Sequence, residues 1–150
     1  MANTYTALFT HLIFSTKLRQ PVLTGEIRPR LFEYIGGIAR NIKCPLLAAG
    51  GFTDHVHLLI QQHATVSTSD ALRDIKANSS RWIHTTYPRL TAFHWQDGGG
   101  AFSVSASGLD DLKAYIANQE EHHRAVSFQE EYLKFLKKYG VEYDLKYVFD

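Results

Sequence analysis

Apolar and polar positions change period several times along the chain. From Thr4 to Thr16, "TYTALFTHLIFST" is rich in β-branched and aromatic residues and ends before a turn-like "KLRQPVL", which predicts a strand. After Thr24, the residues Ile27, Leu31, Ile35, Ile38 and Ile42 recur at spacings of three and four, one face of a helix. Pro29 falls in its first turn, where proline is tolerated. "CPLLAAGGF" and "HVHLLIQ" read as two strands of a hairpin, with glycines permitting a bend or bulge. "STSD" supplies N-caps for a second helix through Leu72, Ile75, Ser79, Trp82 and Ile83, closed by Pro88.

Beyond a "WQDGGG" loop, "AFSVSAS" alternates and predicts a fourth strand. Ser107 can cap the next helix, with Leu109, Leu112, Ile116 and Ala117 facing inward. "SFQE" has the form of a capping box, Ser127 with Glu130, opening a last helix through Phe128, Tyr132, Phe135 and Leu136 that Gly140 stops. The order strand, helix, strand, strand, helix, strand, helices predicts an α+β fold. It is the ferredoxin-like, RRM-like split βαβ arrangement: an antiparallel sheet, helices on one face and an extra C-terminal helix.

Composition narrows the class. A chain of 150 residues with 45% hydrophobic and 21% charged residues suits a single domain, 1–150. No apolar run is long enough to span a bilayer, and the N-terminal segment lacks the pattern of a signal peptide, so a cytoplasmic, membrane-free protein is expected. The single cysteine, Cys44, excludes an intramolecular disulfide and a multi-Cys zinc site, and reads as a buried filler. A net charge of +1 means that any nucleic-acid partner is gripped by local patches. Lys17 with Arg19, Lys76 with Arg81, and Lys113 with Arg124 are the candidates.

The hairpin raises a chemical question. Alternation puts His55, His57, Leu59 and Gln61 on one face of a strand and Val56, Leu58 and Ile60 on the other. With the apolar face under helices, the histidines would sit on the open side of the sheet. Two neutral imidazoles held side by side are natural metal ligands, although a His-X-His pair alone also describes ordinary half-buried histidines. In "SGLDDLKAYIANQEEHHR", Tyr115 and Gln119 lie four positions apart, one helical turn, offset from the Leu112–Ile116 stripe. Together these residues supply a nucleophile and a third, oxygen-donating ligand. A divalent ion on His55, His57 and Gln119 would polarise a scissile phosphate, and Tyr115 would attack it to form a phosphotyrosine.

The chain resembles the HUH single-tyrosine transposases of the smallest prokaryotic insertion sequences, the insertion-sequence-two-hundred type. The resemblance rests on "HLIFSTKLRQPVL" (11–23), "DHVHLLI" (54–60), "IKANSSRWI" (75–83), "FHWQDGGGAFSVS" (93–105) and "YIANQEEHH" (115–123), in that order. It implies His55, His57 and Gln119 as ligands of Mg²⁺ or Mn²⁺, and Tyr115 as the nucleophile that takes a 5′ phosphate and releases a 3′ hydroxyl. It further implies single-stranded DNA with hairpin structure as substrate, and a homodimer in which each site joins one subunit's histidines to the other's tyrosine. Leu59 on the histidine face would then be covered by a partner.

Lys76, Asn78 and Arg81 are placed to reach hairpin phosphates, while Trp95 and Phe93 either stack on unpaired bases or pack as aromatic filler under a loop. Asp54 reads as a turn residue, while His122 and His123 end the tyrosine helix, near the site or simply favouring its dipole. Two other functions compete with transposition: a related nuclease acting on repeated palindromes, and a non-catalytic single-strand or hairpin-binding module. The module predicts aromatics exposed on the central strands, where "AFSVS" offers only Phe102.

Overall fold

A computed structural model describes residues 4–150. Four strands, β1 (Phe9–Ser15), β2 (Leu46–Gly51), β3 (His55–Gln61) and β4 (Gly100–Val104), form one antiparallel sheet in the order β2-β3-β1-β4. Helix α1 (Ile27–Asn41) links β1 to β2, and α2 (Thr68–Thr86) links β3 to β4. This is the expected split βαβ order, with β1 and β3 central. Three helices follow: α3 (Leu109–Ala117), the short α4 (Gln119–His122) and α5 (Phe128–Lys138).

The local signals explain most boundaries. Ser67 caps α2 by accepting from the Asp70 amide at 3.1 Å, and Ser127 caps α5 in the same way from Glu130 at 3.2 Å. Gly140, at φ +67°, adopts the left-handed turn that ends α5. A bulge falls between Leu46 and Ala48 on β2, ahead of the glycines where a bend or bulge was expected. Cys44 is buried, as a filler should be. Strand β1 is shorter than its apolar run: Thr4–Leu8 lies outside the sheet and is exposed.

Pleating sorts the sheet residues into two cores. Leu12, Phe14, Val56, Leu58 and Ile60 pack beneath Leu31, Ile35, Ile38, Ile75 and Ile83 of α1 and α2. The opposite face differs from expectation, because it is not open. Ile13 and Phe102 pack there against Phe128, Tyr132 and Leu136 of α5, so the sheet lies between two helical layers. The physical reason is that Ile13, Leu59 and Phe102 make this face too apolar to leave wet. Leu59 is fully buried within the single chain, without a partner. Among the described residues no helix is long and apolar enough to cross a membrane.

Candidate metal and tyrosine site

Strand β3 places His55 and His57 on the face covered by the C-terminal helices, and both are completely buried. Gly50 stands beside His57 in the β2–β3 register. A Cβ at Gly50 would overlap the carbonyl oxygen of Ile116 and come within 3.0 Å of its carbon. The bare backbone is therefore what admits the end of α3, and Tyr115 with it, over the histidines. The tyrosine helix breaks at Asn118 rather than running on, so Gln119 opens α4. Ala117, expected to face inward, is exposed, while Gln119 is 1% exposed and turned into the site. Arg28, buried at the start of α1, donates to the Leu23 carbonyl at 2.7 Å and pairs with Glu120, tying α4 down next to Gln119.

The residues predicted for the site come together: the Gln119 Oε1 lies 3.2 Å from His55 Nε2, and the Tyr115 ring packs edge-on to His57 with centroids 5.8 Å apart. Five more residues join them: Glu131, His123, His122, His11 and Asp54. Glu131 of α5 is 2% exposed, and its Oε1 lies 2.8 Å from His57 Nε2, 3.1 Å from His123 Nε2 and 3.5 Å from His55 Nε2. Its Oε2 accepts the hydroxyl of Tyr115 and lies 3.2 Å from His122 Nε2. His11 of β1 reaches His57 Nδ1 at 2.8 Å. Asp54, which reads as a turn residue, also holds His55 Nδ1 at 2.7 Å.

Both ring nitrogens of His55, His57 and His123 have partners, and that makes the chemistry specific. His55 faces acceptors on both sides, the Asp54 carboxylate at Nδ1 and the Gln119 oxygen at Nε2. His123 does too, with the Val126 carbonyl at 2.6 Å from Nδ1 and the Gln119 oxygen at 2.9 Å from Nε2. A neutral imidazole has one N–H, so each ring presents a lone pair to other lone pairs unless it is doubly protonated or a cation lies between. Turning the Gln119 amide would instead set its oxygen against Glu131 Oε2 and the Tyr115 carbonyl, each 3.4 Å from the present nitrogen.

The metal-facing atoms of His55, His57, His123 and Glu131 lie within 4.8 Å of one another. Ligands at roughly 2.0–2.2 Å from a common ion are at most about 4.4 Å apart, so a small contraction suffices. Outer partners at Nδ1 fix each ring so that Nε2 points inward, the usual second layer of a metal site. The residues present fit a divalent cation.

Burial holds His57 down at about 4, even with Glu131 beside it, and burial with the nearby His57 lowers His11 to about 3. Both are therefore neutral at physiological pH. Burial alone would raise Glu131, but hydrogen bonds from His123 and His57 hold it far below the usual carboxylate range. His123 moves up, because the Glu131 bond and charge outweigh burial. Burial and the bond to Glu131 push the Tyr115 phenol above its ordinary value.

The candidate nucleic-acid contacts fare differently. Trp95 is 4% exposed, donating Nε1–H to Ser79 Oγ at 3.0 Å and packed edge-on to Phe14 and Phe93. Neither it nor Phe93 has a face free for a base. The reason is an isolated bridge from Thr16 to Trp95, which carries the loop along the sheet and turns alternate residues into the core. Lys76 is bound to the Asp97 and Gly98 carbonyls at 3.1 and 2.6 Å, and Asn78 donates to the Asp74 carbonyl at 2.8 Å. Arg81 is exposed on α2, across the sheet from Tyr115. Phe102 is 3% exposed, so the aromatic display that a binding-module reading needs is missing from β4.

Comparison with known proteins agrees with the fold. The profile described as "Transposase IS200 like" matches residues 4–119. The ISDra2 transposase TnpA of Deinococcus radiodurans is 28% identical over 118 residues, 74% of this chain and 83% of that protein. A crystal structure of a protein assigned as a transposase, also from Deinococcus radiodurans, superposes with a TM-score of 0.65 at 26% identity, covering 79% of this chain and 96% of the other. A REP-associated tyrosine transposase bound to a REP hairpin shares the fold at a TM-score of 0.60 and 16% identity, over 84% of this chain and 74% of that one. The profile ends at Gln119, so His122, His123 and Glu131 lie beyond it. With most of the chain matched, the protein belongs to the IS200-like transposase family.

Proposed function

We propose that this protein cleaves and rejoins single-stranded DNA at insertion-sequence ends through a 5′-phosphotyrosine on Tyr115. The observation that carries the reading is the convergence of His55, His57, His123, Gln119 and Glu131 within reach of the Tyr115 hydroxyl. His55, His57, His123 and Glu131, with Gln119 beside them, would hold Mg²⁺ or Mn²⁺, and imidazole-rich ligation favours Mn²⁺. The ion would supply Lewis-acid polarisation of the scissile phosphate.

The residues of the chain do the rest. Glu131 and His122, whose Nε2 lies 3.3 Å from the Tyr115 hydroxyl, aim the phenol and keep it protonated until attack. As the tyrosine oxygen bonds to phosphorus, the bond to the 3′ oxygen breaks. The phenolic proton leaves along one of these hydrogen bonds, and the 3′ oxygen gains a proton as it departs. The phosphotyrosine conserves the bond energy for rejoining, when a 3′ hydroxyl attacks in reverse. A hairpin-forming strand is the DNA partner, in keeping with the hairpin bound by a structural relative, and the exposed Arg81, held only by a long 3.5 Å bond to Asn78 Oδ1, is the α2 group that would meet its stem. Acting on cellular DNA, the protein works in the prokaryotic cytoplasm.

A nuclease acting on repeated palindromes would use the same chemistry on different DNA. The completeness of the site within one chain favours keeping this second reading, since no partner tyrosine is required. If subunits instead exchange tyrosines in a homodimer, mixing Tyr115→Phe with His57→Ala restores activity; a site within one chain leaves the mixture inactive.

Covalent capture tests the main reading. Labelled single-stranded DNA from the element ends, with Mn²⁺, is expected to give a denaturation-resistant protein–DNA band that disappears in Tyr115→Phe and on chelation. Cleavage that persists in Tyr115→Phe makes water the nucleophile and removes the mechanism. DNA from repeated palindromes, captured in place of element ends, would select the second reading.

A further inference from the structure

A cavity of about 710 Å³ opens between α3 and α5, with Ser103 and Val104 of β4 and His11 at its floor. Tyr115, His122 and Glu131 line it, and from there it runs outward past Lys134, Phe135, Lys138 and Tyr139. None of these last four residues belongs to the ligand cluster, and all but Phe135 are exposed. Lys134 and Lys138 lie one turn apart on α5, and among the described residues neither is paired with a carboxylate. Asp111 is the acid at the outer wall, set against two lysines. The Phe135 and Tyr139 rings lie nearly parallel at 10°, centroids 6.5 Å apart, and Phe102 backs Tyr139 at 4.9 Å. Tyr139 is thus a buttressed ring, 40% exposed, at the end of a basic groove that begins at the nucleophile.

We infer that this groove is the track for the single-stranded nucleotides flanking the scissile phosphate, with Lys134 and Lys138 on successive phosphates and Tyr139 stacked under a base. The inference rests on the reading of Tyr115 as the attacking group and adds where the strand lies. Lysines without a carboxylate partner beside an aromatic platform, with the Lys138 ammonium 5.7 Å from the Tyr139 ring centroid, are what an unpaired strand recognises, whereas a duplex offers no free base face. The volume suits a short stretch of chain. Tyr139 is stiffly backed, so little ordering is needed when a base arrives.

The test is fluorescence anisotropy with a short fluorescein-labelled oligothymidylate across a salt series, alongside covalent capture with element-end DNA. Lys134→Ala with Lys138→Ala is expected to reduce the slope of log affinity against log salt by about 1.4, roughly 0.7 for each lost phosphate contact. Tyr139→Ala is expected to weaken binding on the order of tenfold or more, while Tyr139→Phe retains it. All three side chains are exposed, and an unchanged Tm confirms folding of each variant. A wild-type slope in the double variant together with wild-type binding by Tyr139→Ala, while the wild-type protein still forms its covalent band, overturns the groove and leaves the tyrosine mechanism standing. The expected losses in a protein that never forms the band uphold the groove and remove the mechanism.

Discussion

Gly50→Ala tests the link between one missing side chain and the placement of the nucleophile. A methyl at this position would sit within 3.0 Å of both the carbonyl carbon and Cγ2 of Ile116, and would overlap the carbonyl oxygen. Carbon atoms pack best at about 3.5–4.0 Å, so α3 or β2 must retreat by half an ångström at the carbon and by more at the oxygen, about 1 Å in all. The carbonyl carbon and oxygen are backbone, which cannot swing aside as a flexible side chain would. Overpacking of this kind costs about 1–3 kcal/mol, or a Tm lower by about 3–10 °C for a domain of this size. Tyr115 adjoins Ile116, so the same retreat moves its hydroxyl off Glu131 and His122. A displacement near 1 Å can cost a reaction about a hundredfold, and the covalent band should form more slowly by roughly 10–100-fold. Differential scanning fluorimetry and a time course of covalent capture read the two effects. A lowered Tm with a wild-type rate would mean that the strain relaxes away from the tyrosine, and the proposed role of Gly50 would be refuted.

Glu131→Gln keeps the shape of the side chain and removes the charge on which three imidazoles converge; Mn²⁺ affinity, read from free-ion electron paramagnetic resonance, should fall at least about tenfold to a hundredfold, independently of any turnover. Acid should destabilise the metal-free protein: His11 and His57 stay neutral in the fold down to about 3 and about 4, whereas the unfolded chain takes up protons near about 6.5. The unfolded state therefore binds more protons, and each histidine costs up to about 2 kcal/mol between neutrality and about pH 5, partly offset by His123, whose raised value favours the fold below its unfolded one. Denaturant midpoints measured against pH check the sign, and a flat profile would contradict it. Trp95→Ala should destabilise by about 3–5 kcal/mol through lost packing, yet leave oligonucleotide affinity unchanged for the folded fraction; a selective loss of binding would return Trp95 to the DNA interface.

What could be read from the chain, and what could not, divides along a physical line. The His-X-His alternation on β3 and the four-residue step from Tyr115 to Gln119 are local periodicities, and both survive folding as a shared face and a shared approach. His122 and His123 meet the site as their place at the end of the tyrosine helix allowed, whereas His11 and Glu131 reach the same point from two other elements, and no local pattern encodes that meeting. Glu131 was hidden for a further reason: it follows Glu130 in the first turn of α5, where acids are already explained by the helix dipole. The signal was its position, three residues after Phe128 and four before Phe135, in the middle of an apolar stripe where a solvated glutamate has no place. Trp95 had two readings, base stacking or packing under the loop, and the bridge to Thr16 decides for the second by continuing the pleat and turning the ring inward. The histidine face was expected to be open within one chain, with Leu59 covered by a partner, but the chain's own C-terminal helices provide the cover. A face that also carries Ile13, Leu59 and Phe102 demands a cover, and any cover that buries His55 and His57 must supply partners for their nitrogens. A helix with one acid in its apolar stripe meets both demands, so the fold that hides the histidines also delivers the carboxylate that binds the tyrosine to them.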